Sequence, residues 1–189
     1  MIIIGITGTL GAGKGTIVEY LVRDKGFAHF SVRAYVSEEI VRRGMPVNRD
    51  NMVVVANDLR RQNSPSYIVD MLFERALLSG RNAVIESIRT PGEVESLRKK
   101  GRFCLFAVDA PADQRYQRIR QRMSETDFIS YVTFLENESR EMSSTDPNAQ
   151  NISACIEMSD YRFVNNGTIS QLHQDVERAL SQIFKDETI

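Results

Sequence analysis

Nine residues near the start of the chain limit its possible folds more than any other segment. They read Gly8-Thr-Leu-Gly-Ala-Gly-Lys-Gly-Thr16 and match the pattern GxxxxGK. A β-branched run precedes them, and residues 16–22 repeat apolar side chains at helical spacing, which predicts strand, glycine loop, helix. Such a loop turns backbone N–H groups inward and points a helix N-terminus at bound phosphates. The segment therefore predicts a phosphate-binding loop.

The members of this loop are candidate nucleotide-binding residues. Lys14 is expected to reach the β- and γ-phosphate oxygens as a point charge. Gly15 replaces the usual Ser or Thr after the lysine, so the hydroxyl of Thr16 is the candidate magnesium ligand. The alternative is a glycine-rich turn with a surface lysine. The candidates are Gly8, Leu10, Gly11, Ala12, Gly13, Lys14, Gly15 and Thr16.

The rest of the chain alternates short apolar runs with helical patterns. We expect strands near residues 1–7, 27–31, 82–86, 103–109 and 161–165. We expect helices near residues 16–22, 32–44, 50–62, 66–78, 91–100, 111–122, 127–142 and 169–184. This alternation predicts an α/β three-layer domain, with a parallel sheet of about five strands and helices on both faces.

Length and composition fit one globular domain over residues 1–189. The formal net charge of -1 lacks the basic excess that nucleic-acid binding usually uses, so nucleic acid is not an expected partner. The two cysteines fit buried thiols in a reducing compartment. We find no apolar run of membrane-spanning length and no leader pattern, and expect a cytoplasmic protein without a membrane partner, monomeric or homodimeric.

The loop from Gly8 to Thr16 resembles that of adenylate kinase and other P-loop nucleoside monophosphate kinases. The resemblance implies a P-loop kinase fold, ATP and Mg²⁺ as cofactors, and a small phosphate acceptor. It also implies an acceptor-binding helical region at about residues 32–80. Ser31 matches the segment that opens this region in adenylate kinase, and Arg33 is a possible substitute for an arginine of that family. Alternatively Ser31 caps a helix and Arg33 is solvated.

A second similarity follows the third predicted strand. Glu86-Ser-Ile-Arg-Thr90 resembles the Asp-Gly-x-Pro-Arg-Thr segment of adenylate kinase, with one residue fewer. The resemblance implies that Arg89 holds the acceptor phosphate and that Glu86 lies near the magnesium waters. A guanidinium suits bidentate phosphate contacts, but Glu86 and Arg89 could instead pair with each other. Arg60 is a weaker acceptor-binding candidate, and a solvated helix face is the favoured alternative for it.

Arginines at spacings of three and four follow the fourth strand. Arg115, Arg118 and Arg122 share one helix face, and the last two resemble the start of the adenylate kinase lid, whose arginines lie over the donor nucleotide. Charge neutralisation by such arginines would accelerate phosphoryl transfer. We expect a short helical lid at about residues 115–142, because residues 123–128 leave no room for a larger one. Arg140 could face the same phosphates or form exposed pairs with Glu136 or Glu138.

The segment from Ser159 to Thr168 is similar to the Ala-Asp-x-Val-x-Asn-x-Gly ending of dephospho-CoA kinases. The similarity implies that Asn166 and its neighbours border the adenine of ATP. A plain strand-to-helix turn capped by Thr168 explains the residues equally well.

These patterns favour an ATP-dependent kinase acting on a nucleoside or deoxynucleoside monophosphate. Lys14, Arg89, Arg118 and Arg122 are the candidate catalytic residues, and no general base is obvious, which a phosphate acceptor tolerates. Phosphorylation of the hydroxyl of dephospho-CoA is one alternative. A non-catalytic ATP-binding switch is another.

Overall fold

The computed structural model describes residues 1–122 and 128–185. The strands are β1 (Ile3–Gly8), β2 (Ala28–Ser31), β3 (Ala83–Glu86), β4 (Phe103–Asp109) and β5 (Tyr161–Val164). The helices are α1 (Lys14–Arg23), α2 (Val32–Arg42), α3 (Arg49–Gln62), α4 (Tyr67–Ser79), α5 (Pro91–Lys100), α6 (Ala112–Arg122), α7 (Tyr131–Met142), α8 (Ile152–Glu157) and α9 (Ile169–Lys185).

Within the described residues the strands form one parallel five-stranded sheet in the order β2-β3-β1-β4-β5. The central strand β1 pairs Ile3 with Ala83 of β3 on one side and with Phe103 of β4 on the other. All carboxyl ends therefore lie along one edge of the sheet, where ligands of such sheets bind. The predicted parallel sheet and strand positions are confirmed.

Two apolar clusters cover the two faces of the sheet. Alternate residues of β1 enter different clusters, with Ile3 in one and Ile4 and Ile6 in the other. The first cluster joins the sheet to α2, α3, α4, α5 and α8, and the second joins it to α1 and α9. Burial of the strands on both faces confirms the predicted three-layer α/β fold.

Two details of the helices differ from the predictions. Helix α8 was missed because its six residues are too few to show helical periodicity. Asn151 caps it, and Ile152 and Cys155 anchor it in the core. Helix α7 begins at Tyr131 rather than at residue 127, because the side chain of Ser130 accepts from the N–H of Thr133 and caps the helix there. The predicted short lid turn falls largely on residues 123–127, which lie outside the described residues.

The longest described helix, α9, packs one apolar face on the core. Its buried residues recur three and four apart, as in an amphipathic helix. Across residues 1–122 and 128–185, no helix combines the length and the apolar character needed to cross a membrane.

Candidate functional site

The glycine loop between β1 and α1 has the tight backbone that the sequence predicted. Gly8, Gly11 and Gly13 have φ angles of 135°, 79° and 108°, which L side chains rarely adopt. A Cβ on Gly8 would lie 2.0 Å from the carbonyl oxygen of Val108, and one on Gly13 would lie 2.2 Å from Nδ2 of Asn165. The loop is therefore pressed against β4 and the end of β5, and these positions require glycine.

Lys14 begins α1 and reaches back across the loop. Its Nζ donates to the carbonyl oxygens of Gly8 and Thr9 at 2.8 and 2.7 Å. Burial, followed by the positive charge of Arg89, lowers the pKa of Lys14 to about 7. Arg122 also lowers this pKa, whereas Glu141 and Glu86 raise it. These charges meet around one amine, so the alternative of a plain surface lysine does not describe Lys14.

Three side chains support the loop from outside. Nη1 of Arg115 donates to the carbonyl of Leu10 at 3.2 Å, and Nδ2 of Asn165 donates to the carbonyl of Ala12 at 2.8 Å. The hydroxyl of Thr9 donates to Oδ1 of Asp109 at 2.5 Å. Arg115 and Asn165 are both buried. They fix the positions of loop carbonyls, and so the direction of the N–H groups between them.

Arg115 therefore does not share the role expected for the other arginines of α6. Its Nη2 lies 2.7 Å from Oε1 of Glu138, and the whole residue is only 5% exposed. The shared helix face predicted for Arg115, Arg118 and Arg122 does not place all three guanidiniums at one ligand. Arg115 binds the loop backbone instead.

Arg118 lies against the segment that follows β5. Its Nη2 donates to the carbonyl of Asn165 at 2.8 Å, and its Nη1 is buried without a hydrogen-bond partner among the described residues. Asn166 follows as an exposed residue. Thr168 accepts from the N–H of Gln171 and donates its own N–H to that side chain. The turn before α9 is thus capped by Thr168, as the plainer interpretation held.

The carboxyl ends of β2 and β3 bring Glu86 together with His29 and Ser31, and the charge of Glu86 acts on Lys14. Nε2 of His29 lies 3.4 Å from Oε1 of Glu86, a pairing that the sequence did not predict. Burial acts to raise the pKa of Glu86, but hydrogen bonds from His29 and Ser31 outweigh it and lower the pKa. Ser31 also caps α2 by accepting from the N–H of Ala34 at 3.2 Å. Ser31 therefore serves both the helix and the carboxylate.

A pocket opens between α2, α3 and the segment after β3. We call it the arginine pocket, and its floor is formed by apolar side chains of α2 and α3. Ser87, at a φ of 69°, lines it directly after Glu86, and backbone strain of this kind is common at ligand sites. The pocket is lined by Val32, Arg33, Val36, Arg49, Met52, Val53, Ala56, Arg60, Ser87, Arg89, Glu141 and Gln150.

Two arginines in the pocket share one glutamate. Nη1 of Arg89 donates to Oε2 of Glu141 at 2.6 Å and to Oε1 of Gln150 at 2.8 Å. Arg49 donates to the other oxygen of Glu141. Burial acts to raise the pKa of Glu141, but Arg89 and Arg49 outweigh it and the pKa is lowered. The cluster is therefore ionised and carries one net positive charge.

The sequence identified only one member of this cluster. Arg89 was predicted, whereas Arg49, Glu141 and Gln150 were not, because they are far apart in sequence and belong to no local motif. The suggested pairing of Glu86 with Arg89 is not what the structure has, since each bonds elsewhere.

Arg60 is buried, and the favoured interpretation of it as a solvated residue is wrong. Its Nε and Nη2 lie 3.1 and 2.7 Å from Oε1 of Glu93, and the two side chains are 1% and 0% exposed. The second oxygen of Glu93 accepts from the backbone N–H groups of Arg89 and Thr90. Arg60 thus lines the pocket mainly as the partner of a carboxylate that holds the backbone of Arg89.

The last three candidate arginines, Arg33, Arg122 and Arg140, lie at the surface. Arg33 is exposed and lines the mouth of the arginine pocket. Arg140 is exposed, donates to Oδ1 of Asn137 at 3.0 Å and lies 3.6 Å from Asp50. These partners are neither of the glutamates considered for Arg140 from the sequence.

A sequence model of the AAA domain family matches residues 4–143, which include the glycine loop, Glu86, Arg89 and the arginine pocket up to Glu141. The chain belongs to the AAA domain family. This AAA domain chain is also 30% identical to a UPF0200 protein from Thermococcus kodakarensis, and the alignment covers 97% of this chain and 98% of that protein.

Solved kinase structures share the fold of this AAA domain chain. A gluconokinase from Sinorhizobium meliloti is similar with a TM-score of 0.61 and 14% identity, covering 98% of this chain and 94% of that one. A shikimate kinase from Bacteroides thetaiotaomicron is similar with a TM-score of 0.55 and 15% identity, covering 95% and 98%. The P-loop kinase fold predicted from the glycine loop is therefore confirmed.

Proposed function

We propose that this protein is an ATP-dependent kinase that transfers the γ-phosphoryl group to a small phosphate monoester, with a nucleoside or deoxynucleoside monophosphate as the leading candidate. The observation that carries the proposal is the arginine pocket, whose ionised cluster bears a net positive charge beside Lys14. Arg49 and Arg89 can each grip a phosphate oxygen with a planar fork of donors.

The floor of the arginine pocket supports a nucleoside as the remainder of the acceptor. Val32, Val36, Met52, Val53 and Ala56 form an apolar surface between α2 and α3. Apolar walls with a few polar groups are typical of small-molecule sites. A base can lie on this surface while its phosphate points toward Lys14. Ser31 would then open the acceptor region at about residues 32–80, and Arg33 and Arg60 would belong to it.

The donor triphosphate would lie in the glycine loop. The loop from Gly8 to Thr16 would supply backbone N–H groups, and Lys14 would neutralise the transferred phosphoryl group. Arg118 and Arg122 would act from the lid region at residues 115–142. Asn166 would border the adenine, beside the backbone that Arg118 already contacts.

The residues around the loop fit a magnesium ion held mainly by phosphates. Glu86 is an ionised carboxylate whose charge acts on Lys14, and Thr16 lies in the first turn of α1. Mg²⁺ keeps several waters and needs only one or two carboxylates beside substrate phosphates. In the described part of the chain no group of three His, Cys, Asp or Glu side chains could hold a metal by itself. Thr16 and Glu86 would hold the ion together with its waters, and the ion would supply positive charge that neutralises the phosphates during transfer.

One observation favours a second candidate function, phosphorylation of a hydroxyl group, as in the dephospho-CoA kinase alternative. His29 and Glu86 form a pair whose carboxylate acts electrostatically on Lys14, and such a pair could accept the proton of an attacking hydroxyl. A monophosphate acceptor is already anionic and needs no such base. The two functions therefore differ in the group that accepts the phosphoryl group, which is a phosphate in the first and a hydroxyl in the second.

The experiment is a screen for acceptor-dependent ADP release. The purified protein is incubated with ATP and Mg²⁺ together with each common nucleoside or deoxynucleoside monophosphate, dephospho-CoA, gluconate or shikimate. We expect one monophosphate to stimulate release. Stimulation only by a hydroxyl acceptor would transfer the assignment to the second function. ATP binding without stimulation by any acceptor would favour a nucleotide-dependent switch.

Two variants assign the roles of the charged residues in that assay. Lys14→Ala should lower phosphoryl transfer by about 10²-fold or more, because one preorganised donor is lost, with exposed Lys99→Ala as its control. Arg89→Ala should raise the acceptor KM while the affinity for ATP is kept, with exposed Arg120→Ala on α6 as its control. An unchanged acceptor KM and kcat in Arg89→Ala would remove Arg89 from the site.

A further inference from the structure

Glu141 anchors α7 to the arginine pocket. Only Phe134 and Glu141 are buried among the residues of α7, and Glu141 is 4% exposed. Its two carboxylate oxygens bind different arginines, Arg49 of α3 and Arg89 after β3. A buried carboxylate on an otherwise exposed helix is costly unless it is paired. The pairs with Arg49 and Arg89 therefore hold this end of α7 in place.

Residues of α7 that precede Glu141 join this helix to α6 and, through α6, to the glycine loop. Glu138 forms an ion pair of 2.7 Å with Arg115, and Arg115 also donates to the carbonyl of Leu10. The ring of Tyr116 lies 5.6 Å from that of Phe134. A movement of α7 would therefore pull on the residues that support the loop.

Glu141 lies where an anionic ligand of the arginine pocket would bind. It is the sole carboxylate among the lining residues of that pocket that the structure describes. Nε of Arg49 is buried without a hydrogen-bond partner among the described residues, so this guanidinium has a further donor for a ligand. A phosphate placed between Arg49 and Arg89 would meet the like charge of Glu141, and both could not stay in contact with the same donors.

We propose that Glu141 is a positioning residue that occupies the phosphate position of the arginine pocket, and that a bound monophosphate displaces it and releases α7. This inference rests on the proposed function, because it assumes that the ligand of the pocket carries a phosphate. Phosphate binding at the pocket then loosens the connection from α7 through Arg115 to the glycine loop. The acceptor site is coupled to the donor site by one carboxylate.

The test compares Glu141→Gln with Glu136→Gln, which makes the same change at an exposed position of the same helix. The probe is inorganic phosphate, titrated by calorimetry into protein saturated with β,γ-imido-ATP and Mg²⁺ so that the glycine loop is filled. Glu141→Gln removes the carboxylate that competes with phosphate for the two arginines. Because a hydrogen bond to a charged group stabilises strongly, phosphate should bind this variant at least about tenfold more tightly. Glu136→Gln should bind phosphate like the unaltered protein.

Unchanged or weaker phosphate binding by folded Glu141→Gln would overturn the inference, since Glu141 would then stay in the complex or only orient the arginines. Failure of the proposed function looks different: no monophosphate would stimulate ADP release by the unaltered protein, whatever Glu141→Gln does to phosphate binding. Hydrogen exchange of the unaltered protein gives a second test that needs no variant. Phosphate should reduce protection in the last turn of α7, and equal or greater protection there would contradict displacement.

Discussion

The lowered pKa of Lys14 predicts that nucleotide binding takes up a proton. In the free protein, burial and the charge of Arg89 lower this pKa from 10.5 to about 7. A triphosphate beside the amine stabilises its charged form and raises the pKa again. Protons are therefore taken up at any pH between the two values. At pH 8 the free amine is only about 10% protonated and the bound amine almost fully, so binding takes up about 0.9 proton.

The assay is calorimetric titration of β,γ-imido-ATP with Mg²⁺ at pH 8, in buffers that differ in ionisation enthalpy. The slope of the observed enthalpy against ionisation enthalpy gives the number of protons taken up. Phosphate groups have a second pKa of about 6 and contribute little at pH 8. At pH 6 the share of Lys14 should fall to about 0.1 proton, because the free amine is already charged; the contribution of the phosphate groups at this pH is measured with Lys14→Arg and subtracted.

Lys14→Arg is the matched control for this measurement. Its guanidinium stays charged at pH 8 in both states, so any binding that remains should proceed without proton uptake. A slope near zero for the unaltered protein at pH 8 would refute the reasoning, because Lys14 would then be charged before the nucleotide arrives.

Two further predictions concern stability. Gly13→Ala should lower the free energy of unfolding by about 1–3 kcal/mol, because it strains a left-handed backbone and meets Asn165; Gly15→Ala, where a Cβ meets nothing within 4 Å, should raise it by about 0.5–1 kcal/mol. Melting temperatures of the two variants equal to that of the unaltered protein would contradict both expected effects. Arg60→Met should lower the free energy of unfolding, measured with denaturant, by about 3–5 kcal/mol, because it leaves Glu93 buried and unpaired. Adding Glu93→Gln should restore most of the lost free energy. No recovery would show that the charge of the pair is not the cause.

The glycine loop was predictable because its chemistry is local. Gly8 to Thr16 lie within one strand-to-helix connection, and the required φ angles select glycine at fixed spacings. The alternation of apolar runs and helical patterns likewise predicted the layers and the parallel sheet. Helix α8 was not predicted, because six residues are too few to show helical periodicity.

The partners of the charged residues could not be predicted, because they come together only in the folded chain. Arg49 and Glu141 are 92 positions apart, and Arg60 and Glu93 are 33 apart. A charged residue on a helical pattern is usually solvated, and Arg60 departs from that rule because Glu93 is buried with it. Ion pairs between residues that are distant in sequence therefore decide which arginines face the pocket.

The central claim is that the glycine loop and the arginine pocket bring two phosphates together. Phosphorus NMR of the product tests it most directly, because it shows which bond has formed. In the reaction with a monophosphate, we expect the signal of the accepting phosphorus to become a doublet coupled to a second phosphorus, which is the mark of a new phosphoanhydride. A new phosphate monoester on a hydroxyl group, with the acceptor phosphate unchanged, would contradict the claim.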